Sequence, residues 1–337
     1  MVRTLPASRR PHVGFLTPLL AASALSFTVL PKCARAQDPE SLQALTIRLA
    51  SIPAVTGYEQ ALVDTLLRLL PNARRDRAGN VRLQRPGGSV RRLVVCPLDE
   101  KGYVVGQLRT DGYLTLRRAP GRVAPSFDQQ LQGQRVTIQA VRGPVPGVVA
   151  VRSIHLTRAR DAPSDSGFTV DQAYVDVGAE SVADLTRLGI KLLAPVTLTK
   201  RPQVYGSSLL AAPAAGRRAA CAALLLAFRQ STVRAKTMPP VTVAFVVEQE
   251  LSRRGLYTVA NVDGPFDETL ILDGRTGPLG SLRKEVGTDS TRQAKALGRV
   301  RQWSVPVRYA GTPVETVSLI DADSLRAALG RWIGGDE

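Results

Sequence analysis

The chain has 337 residues, 44% of them hydrophobic and 22% charged, which excludes a disordered polyelectrolyte and fits one large or two modest globular domains. Its formal charge is +17, yet only seven of the 45 basic residues are lysine and the arginines are spread along the chain. That distribution reads as a compositional bias toward arginine and alanine, not as a nucleic-acid-binding stripe.

Arg3, Arg9 and Arg10 precede an apolar run from Val13 to Leu30, and Ala34-Arg35-Ala36 places small residues at a cleavage spacing. Residues 1–36 therefore read as a secretory signal peptide cleaved after Ala36, which predicts a periplasmic or secreted protein. An uncleaved anchor is the alternative, since the run is nearly long enough to span a bilayer; Pro18 and the Ala-x-Ala site favour cleavage. Removal takes away five basic residues and no acids, lowering the formal charge to +12. Nothing later is apolar for long enough to span a membrane. The remaining cysteines, Cys96 and Cys221, either pair in an oxidising compartment or sit as small buried apolar residues. His155 is then the one histidine left, so any mechanism needing two imidazoles is excluded.

Asp38-Pro39-Glu40 has the form of a helix start, followed by a helical pattern over Leu42, Leu45, Leu49 and Ile52. A second helix is expected over Tyr58–Leu70, and the turn Asp76–Asn80 leads into a strand, Val81–Gln84. Leu93–Cys96 is a buried strand ending in the acidic corner Asp99-Glu100, the place where an open α/β sheet puts its chemistry. From Gly102 to about Thr199 short β-rich runs alternate with Gly and Pro turns, with one helix at Ser181–Leu188 and a loop at Asp161–Gly167. The α/β texture then returns: a helix at Gly216–Phe228, a strand at Val241–Val247, a helix starting near Leu251 and a strand at Thr269–Leu272. A late strand at Val305–Tyr309 and a closing helix at Asp323–Trp332 follow. Trp303 and Trp332 read as core or interface.

Several passages carry a resemblance. They are TGYE (Thr56–Glu59), DRAGN (Asp76–Asn80), LDEKGYVVGQLRTDGYL from Leu98, GQRVTI (Gly133–Ile138), GVVAVRSIHL (Gly147–Leu156) and DVGAES (Asp176–Ser181). GRRAACAALLLAF (Gly216–Phe228), EQELSRRG (Glu248–Gly255), ILDG (Ile271–Gly274) and VPVRYAGTPVE (Val305–Glu315) complete the series. In this order the chain resembles the tetrahedral-aminopeptidase and glutamyl-aminopeptidase family of di-metal metallopeptidases, metallopeptidase family 42, whose members include so-called cellulase M proteins. The resemblance implies an α/β/α sandwich, here residues 37–101 and 200–337, interrupted by a PDZ-like β domain at 102–199. It also implies two divalent metals, zinc or cobalt, a glutamate that deprotonates the bridging water, and assembly into homo-oligomers.

The chain departs from that pattern where the chemistry lies. The family's first histidine ligand falls on Pro97, the bridging aspartate on Gly216, the second aspartate on Arg217 and the last histidine on Gly311. The general base falls on Gln249, whose amide accepts no proton at neutral pH. Glu250 and Asp273 keep ligand positions, while Asp99, Glu100, Arg218 and Asp289 keep neighbouring or substrate-side positions. Tight zinc binding needs nitrogen or sulfur ligands; carboxylates alone suit a weak hard cation. Cys96 is adjacent to Pro97, but strand alternation points it away. The segment from Asp273 to Thr288 is short against the family pattern. His155 reads as structural.

Two readings follow: an exported, catalytically inactive pseudo-peptidase that binds peptides or acts as a scaffold, or an aminopeptidase with a rearranged site built on Asp99, Glu100, Glu250 and Asp273, with Glu248 as base. A third possibility concerns Arg217, Arg218, Arg253 and Arg254. They either attract carboxylates such as peptide C-termini, or are solvated or pair with Glu250 and Asp273.

Overall fold

The computed structural model of the protein describes residues 40–86, 89–151, 167–232, 240–287 and 292–335. The expected signal segment, His155, most of the loop at Asp161–Gly167 and Thr288-Asp289 lie outside them. Two helices open the described chain, α1 (Leu42–Ala50) and α2 (Gln60–Leu69), followed by β1 (Arg74–Arg75), β2 (Val81–Arg85) and β3 (Arg92–Pro97). The next stretch holds β4 (Tyr103–Leu108), β5 (Leu114–Arg118), β6 (Arg135–Ala140), β7 (Gly143–Val149), β8 (Tyr174–Asp176), α3 (Val182–Arg187) and β9 (Pro195–Leu198). After it come β10 (Gln203–Tyr205), β11 (Leu209–Ala211), α4 (Ala215–Thr232), β12 (Val241–Val246) and α5 (Arg254–Asp263). The chain closes with β13 (Glu268–Thr276), β14 (Arg283–Val286), β15 (Arg299–Arg308), β16 (Thr316–Ser318) and α6 (Leu319–Gly334).

Among the described residues these strands form a ten-stranded sheet in the order β1-β2-β12-β3-β13-β15-β16-β11-β10, with β14 beside β15, and a closed barrel in the order β4-β5-β8-β7-β6-β9. The strands at the centre of the sheet, β12, β3, β13 and β15, are parallel neighbours. Both faces of such strands are covered, which is why Leu93–Cys96 reads as an unbroken apolar run. Alternation sends Val94 and Cys96 into a core shared with α1, α4 and α6 (Leu45, Leu224, Leu329), and Leu93 and Val95 into another with α5 (Leu256, Val259). Cys96 thus points toward α4, where it forms a disulfide with Cys221 across a sequence separation of 125. That decides between the two roles left open for the cysteines. Trp303 and Trp332 are core residues.

The barrel closes around Tyr103, Leu114, Ile138, Val175 and Val196. Its strands all lie between residues 103 and 198, with the sheet's strands before and after in sequence.

Two helix starts differ from expectation. The Ser41 side chain caps α1 by accepting from the Ala44 N–H at 3.1 Å, while Asp38, the expected cap, lies outside the described residues. Helix α5 begins at Arg254 rather than near Leu251, because Glu248, Ser252 and Arg253 take left-handed φ values of 54°, 53° and 56°. Residues in that region cannot open a right-handed helix, and they turn the chain sharply after β12.

Candidate functional site

Parallel strands end at the same edge of a sheet, so β3, β12 and β13 deliver their following or terminal residues to one place. Asp99 comes from the end of β3, Glu250 from the turn after β12 and Asp273 from within β13. The first turn of α4 adds Arg217 and Arg218.

Arg217 lies at the centre of the acids. Its Nε and one Nη donate to the two carboxylate oxygens of Asp273 at 2.9 and 3.1 Å, and the same Nη donates to Glu250 at 3.3 Å. The other Nη donates to the Asp99 carbonyl at 2.6 Å and the Asp99 carboxylate at 3.2 Å. A guanidinium has five N–H groups, and these five bonds use them all. No N–H remains for an incoming carboxylate. The arginine is therefore paired with Glu250 and Asp273, the second of the two roles open to it. Burial alone would weaken the arginine as a base, but the Asp273, Asp99 and Glu250 charges more than reverse this and hold it above its usual range.

Asp99 is buried and accepts on its second oxygen from the Glu250 N–H at 2.8 Å and the Thr56 hydroxyl at 3.2 Å. Burial raises its pKa against the opposing pull of Arg217.

The residues next to Asp99 and Arg217 turn the other way. Glu100 and Arg218 are buried together: an Arg218 Nη donates to Glu100 at 3.0 Å, and the Lys200 ammonium contacts the same oxygen. The other Glu100 oxygen accepts from the Ala54 N–H at 3.1 Å. Burial would raise the Glu100 carboxyl, but Lys200 and Arg218 together hold it below its usual range. Burial lowers Lys200, with Glu100 opposing.

The positions where the resemblance places ligands have their own local geometry. A Cβ on Gly216 would fall 2.4 Å from a Val307 methyl and 2.8 Å from the Gly274 Cα, so an aspartate there has no room. Gly311 has open space around it but a φ of 72°, a left-handed backbone that disfavours a histidine. Pro97 ends β3 in register with Val246. The Gln249 Oε1 is buried without a hydrogen-bond partner. Arg254 is exposed and pairs with Glu248 at 2.8 Å, and Arg253 is exposed beside it.

Four participants had not been singled out from sequence. Glu315 accepts from the Gly216 N–H at 3.0 Å and the Gly311 N–H at 2.8 Å, tying the start of α4 to the loop after β15. An anion there also complements the helix dipole, which the arginines in the first turn oppose. Burial raises its pKa. Glu59 accepts on one oxygen from the Gly57 and Glu248 N–H groups at 3.0 and 2.9 Å, and burial pushes its pKa up to about 7. Glu59, Glu315 and Thr56 lie in passages whose pattern marked them; Lys200 carries no sequence signal, because its pairing is purely tertiary.

A cavity of 310 Å³ opens beside Arg217. Its polar wall holds Arg217, Glu250, Asp273 and Glu315, and its other wall is the barrel, with Tyr103 and Phe127 stacked 5.3 Å apart and the buried Thr197 hydroxyl lacking a partner. A di-metal centre needs carboxylates or imidazoles that converge on a point. Here the carboxylates instead surround a planar fork that already occupies the space between them. Among the described residues no group of three or more His, Cys, Asp or Glu could hold a metal ion. The residues present do not fit the two-metal group.

Comparison with known proteins identifies the background to this arrangement. The sequence pattern of the M42 glutamyl aminopeptidases matches residues 79–274. A putative aminopeptidase, SgcX, of Escherichia coli is 29% identical over 228 residues, covering 65% of this chain and 59% of the relative. A lysyl aminopeptidase of Pyrococcus furiosus is 30% identical over 153 residues, covering 43% of this chain and 42% of the relative. The chain thus spans about six-tenths or less of the length of these relatives. In fold it is similar to the Pyrococcus horikoshii TET1 peptidase, with a TM-score of 0.77 and 21% identity over 87% of this chain and 99% of that one. An aminopeptidase from Desulfurococcus kamchatkensis has a TM-score of 0.74 and 19% identity over 86% and 93%.

Proposed function

The chain belongs to the M42 glutamyl aminopeptidase family, and from that premise we propose that it is an exported member that binds peptides without hydrolysing them. The observation that carries this reading is Arg217, whose guanidinium fills the space among Asp99, Glu250 and Asp273 with all its donors engaged. Hydrolysis in this family pattern needs an activated water and a base that takes its proton. On that pattern the base position is Gln249, and the ligand positions at Pro97, Gly216 and Gly311 have no donor side chains. Glu248 is no substitute, since it pairs with Arg254. Asp99 and Asp273 are taken up by Arg217, and Glu100 by Lys200 and Arg218.

What remains is a cavity of 310 Å³ between the barrel and the strand ends. The stacked Tyr103 and Phe127 offer it an apolar wall, on which Thr197 also lies. Glu250 keeps one carboxylate oxygen beyond its bond to Arg217. Such a site suits a short peptide segment presenting N–H donors and an apolar side chain.

The export signal at residues 1–36 and the Cys96–Cys221 disulfide support an oxidising location for this role. Self-association belongs to the same reading, supported by the P. horikoshii relative, which is described as assembling into a tetrahedron or an octahedral shell. The test pairs a panel of aminoacyl chromogenic substrates, with and without added zinc or cobalt, with calorimetric titration of short peptides. The reading expects no turnover and micromolar peptide binding that is lost in Thr197→Tyr, which fills the cavity. Metal-dependent turnover sinks it.

A further inference from the structure

We infer that Arg217 is a built-in cation that takes the place of metal ions at this strand edge, offsetting part of the charge of Asp99, Glu250 and Asp273 and joining the segments that carry them, so that the folded protein is independent of metal. The three acids come from separate segments, the residues after β3 and β12 and the interior of β13, and without a cation they would repel one another in a setting poorly screened by water. The Asp99 side chain is 0% exposed, Glu250 20%, Asp273 25% and Arg217 itself 12%. A guanidinium suits the task because it stays charged and presents a rigid fork that binds a carboxylate through two bonds, as it does with Asp273.

The glycines on which this grip depends extend the inference to the backbone. A Cβ on Gly216 would lie 2.8 Å from the Gly274 Cα, and a Cβ on Gly274 would lie 2.8 Å from the Gly216 Cα. Two facing glycines thus let the first turn of α4 settle directly on β13, next to Asp273. The Arg217 side chain then reaches Asp273 with its Nε as well as an Nη. Gly216, the position where the resemblance puts the bridging aspartate, is part of the replacement: it removes an acid and brings the substitute cation within reach. Glu315 fixes this turn from the other side through the Gly216 N–H.

The inference concerns metal and stability, so its outcome reads out separately from turnover. Purified protein is examined for bound metal by plasma mass spectrometry and for melting temperature with EDTA, excess zinc and excess manganese. The expected result is substoichiometric metal and an unchanged melting temperature. Arg217→Ala, which leaves the acids buried without their partner, should melt roughly 5–10 °C lower. Millimolar manganese or guanidinium ion should recover part of that loss, and sodium chloride of equal ionic strength should not. Arg217→Lys, which keeps the charge but not the fork, should fall between the two, and Gly274→Ala should melt below wild type while remaining metal-free. If Arg217→Ala fails to fold, the lysine and glycine variants and the wild-type measurements still decide. Stoichiometric metal in the wild type, a chelator-induced fall in its melting temperature, a wild-type melting temperature for Arg217→Ala, or no recovery by either cation overturns the inference.

Discussion

Asp99 and Glu100 are neighbours in sequence, as are Arg217 and Arg218, yet they form two separate ion clusters of opposite balance. One sets three acids around Arg217 beside the cavity. The other sets two cations, Arg218 and Lys200, around Glu100 in the interior. Because side chains on a strand end and on the first turn of a helix diverge from one residue to the next, a pair of adjacent charges can serve a surface and a core at once. The outer cluster is the more exposed one beside the cavity, whose lining Glu100 and Lys200 also reach although both are almost fully buried. The inner one locks the barrel's return to the sheet, at Lys200, onto β3 and α4.

Both clusters hang on the same strut, since Cys96 precedes the acids by one short turn and Cys221 follows the arginines by about one. In a chain-entropy view, the cross-link across a separation of 125 residues stabilises the fold by about 5 kcal/mol. Replacing both cysteines by alanine should lower the unfolding free energy by an amount of that order, measured by urea titration under oxidising conditions. An unchanged midpoint would show that the clusters hold without it. Next in size, Glu100→Gln leaves two buried cations facing a neutral amide, and removing one member of a buried pair typically costs about 3–5 kcal/mol. Asp273→Asn, at the half-buried outer cluster, should lose distinctly less. Equal losses would erase the distinction between an inner lock and an outer face.

The third effect separates both clusters from Glu59, a buried carboxyl held by backbone N–H groups. Its folded pKa, about 7, lies above the ordinary 4.5. Its contribution is therefore fully present below pH 4.5 and is lost as pH rises through about 7, a change of about 3 kcal/mol at 1.36 kcal/mol per pH unit. Glu59→Gln keeps the carbonyl oxygen that both N–H groups need and removes the ionisation. The difference in stability between Glu59→Gln and wild type should grow in the variant's favour from pH 4 to pH 8 by roughly that amount. A difference flat across this range would place the ionisation of Glu59 elsewhere.

Much of the fold was legible in the sequence. The apolar run Leu93–Cys96 and the alternating runs between Gly102 and Thr199 have periodicities that burial enforces; the structure contains the sheet, and the short β runs form a closed barrel, a closure that the runs alone did not imply. Helix starts were less legible: α5 opens at Arg254 where the sequence pointed to Leu251, because left-handed residues are settled by neighbours in space. The site was half legible. Which residues stand at the strand edge follows from chain order, but whether Arg217 faces solvent, a ligand or the acids does not.

The sequence by itself determined the family and the sheet, because those are matters of residue identity and order. Only the tertiary structure decided that Arg217 and Arg218 part company, that Lys200 joins Glu100, and that Gly216 meets Gly274. A charge finds its partner by distance and burial, and residues 99, 217, 250 and 273 acquire both only when parallel strands bring their ends together.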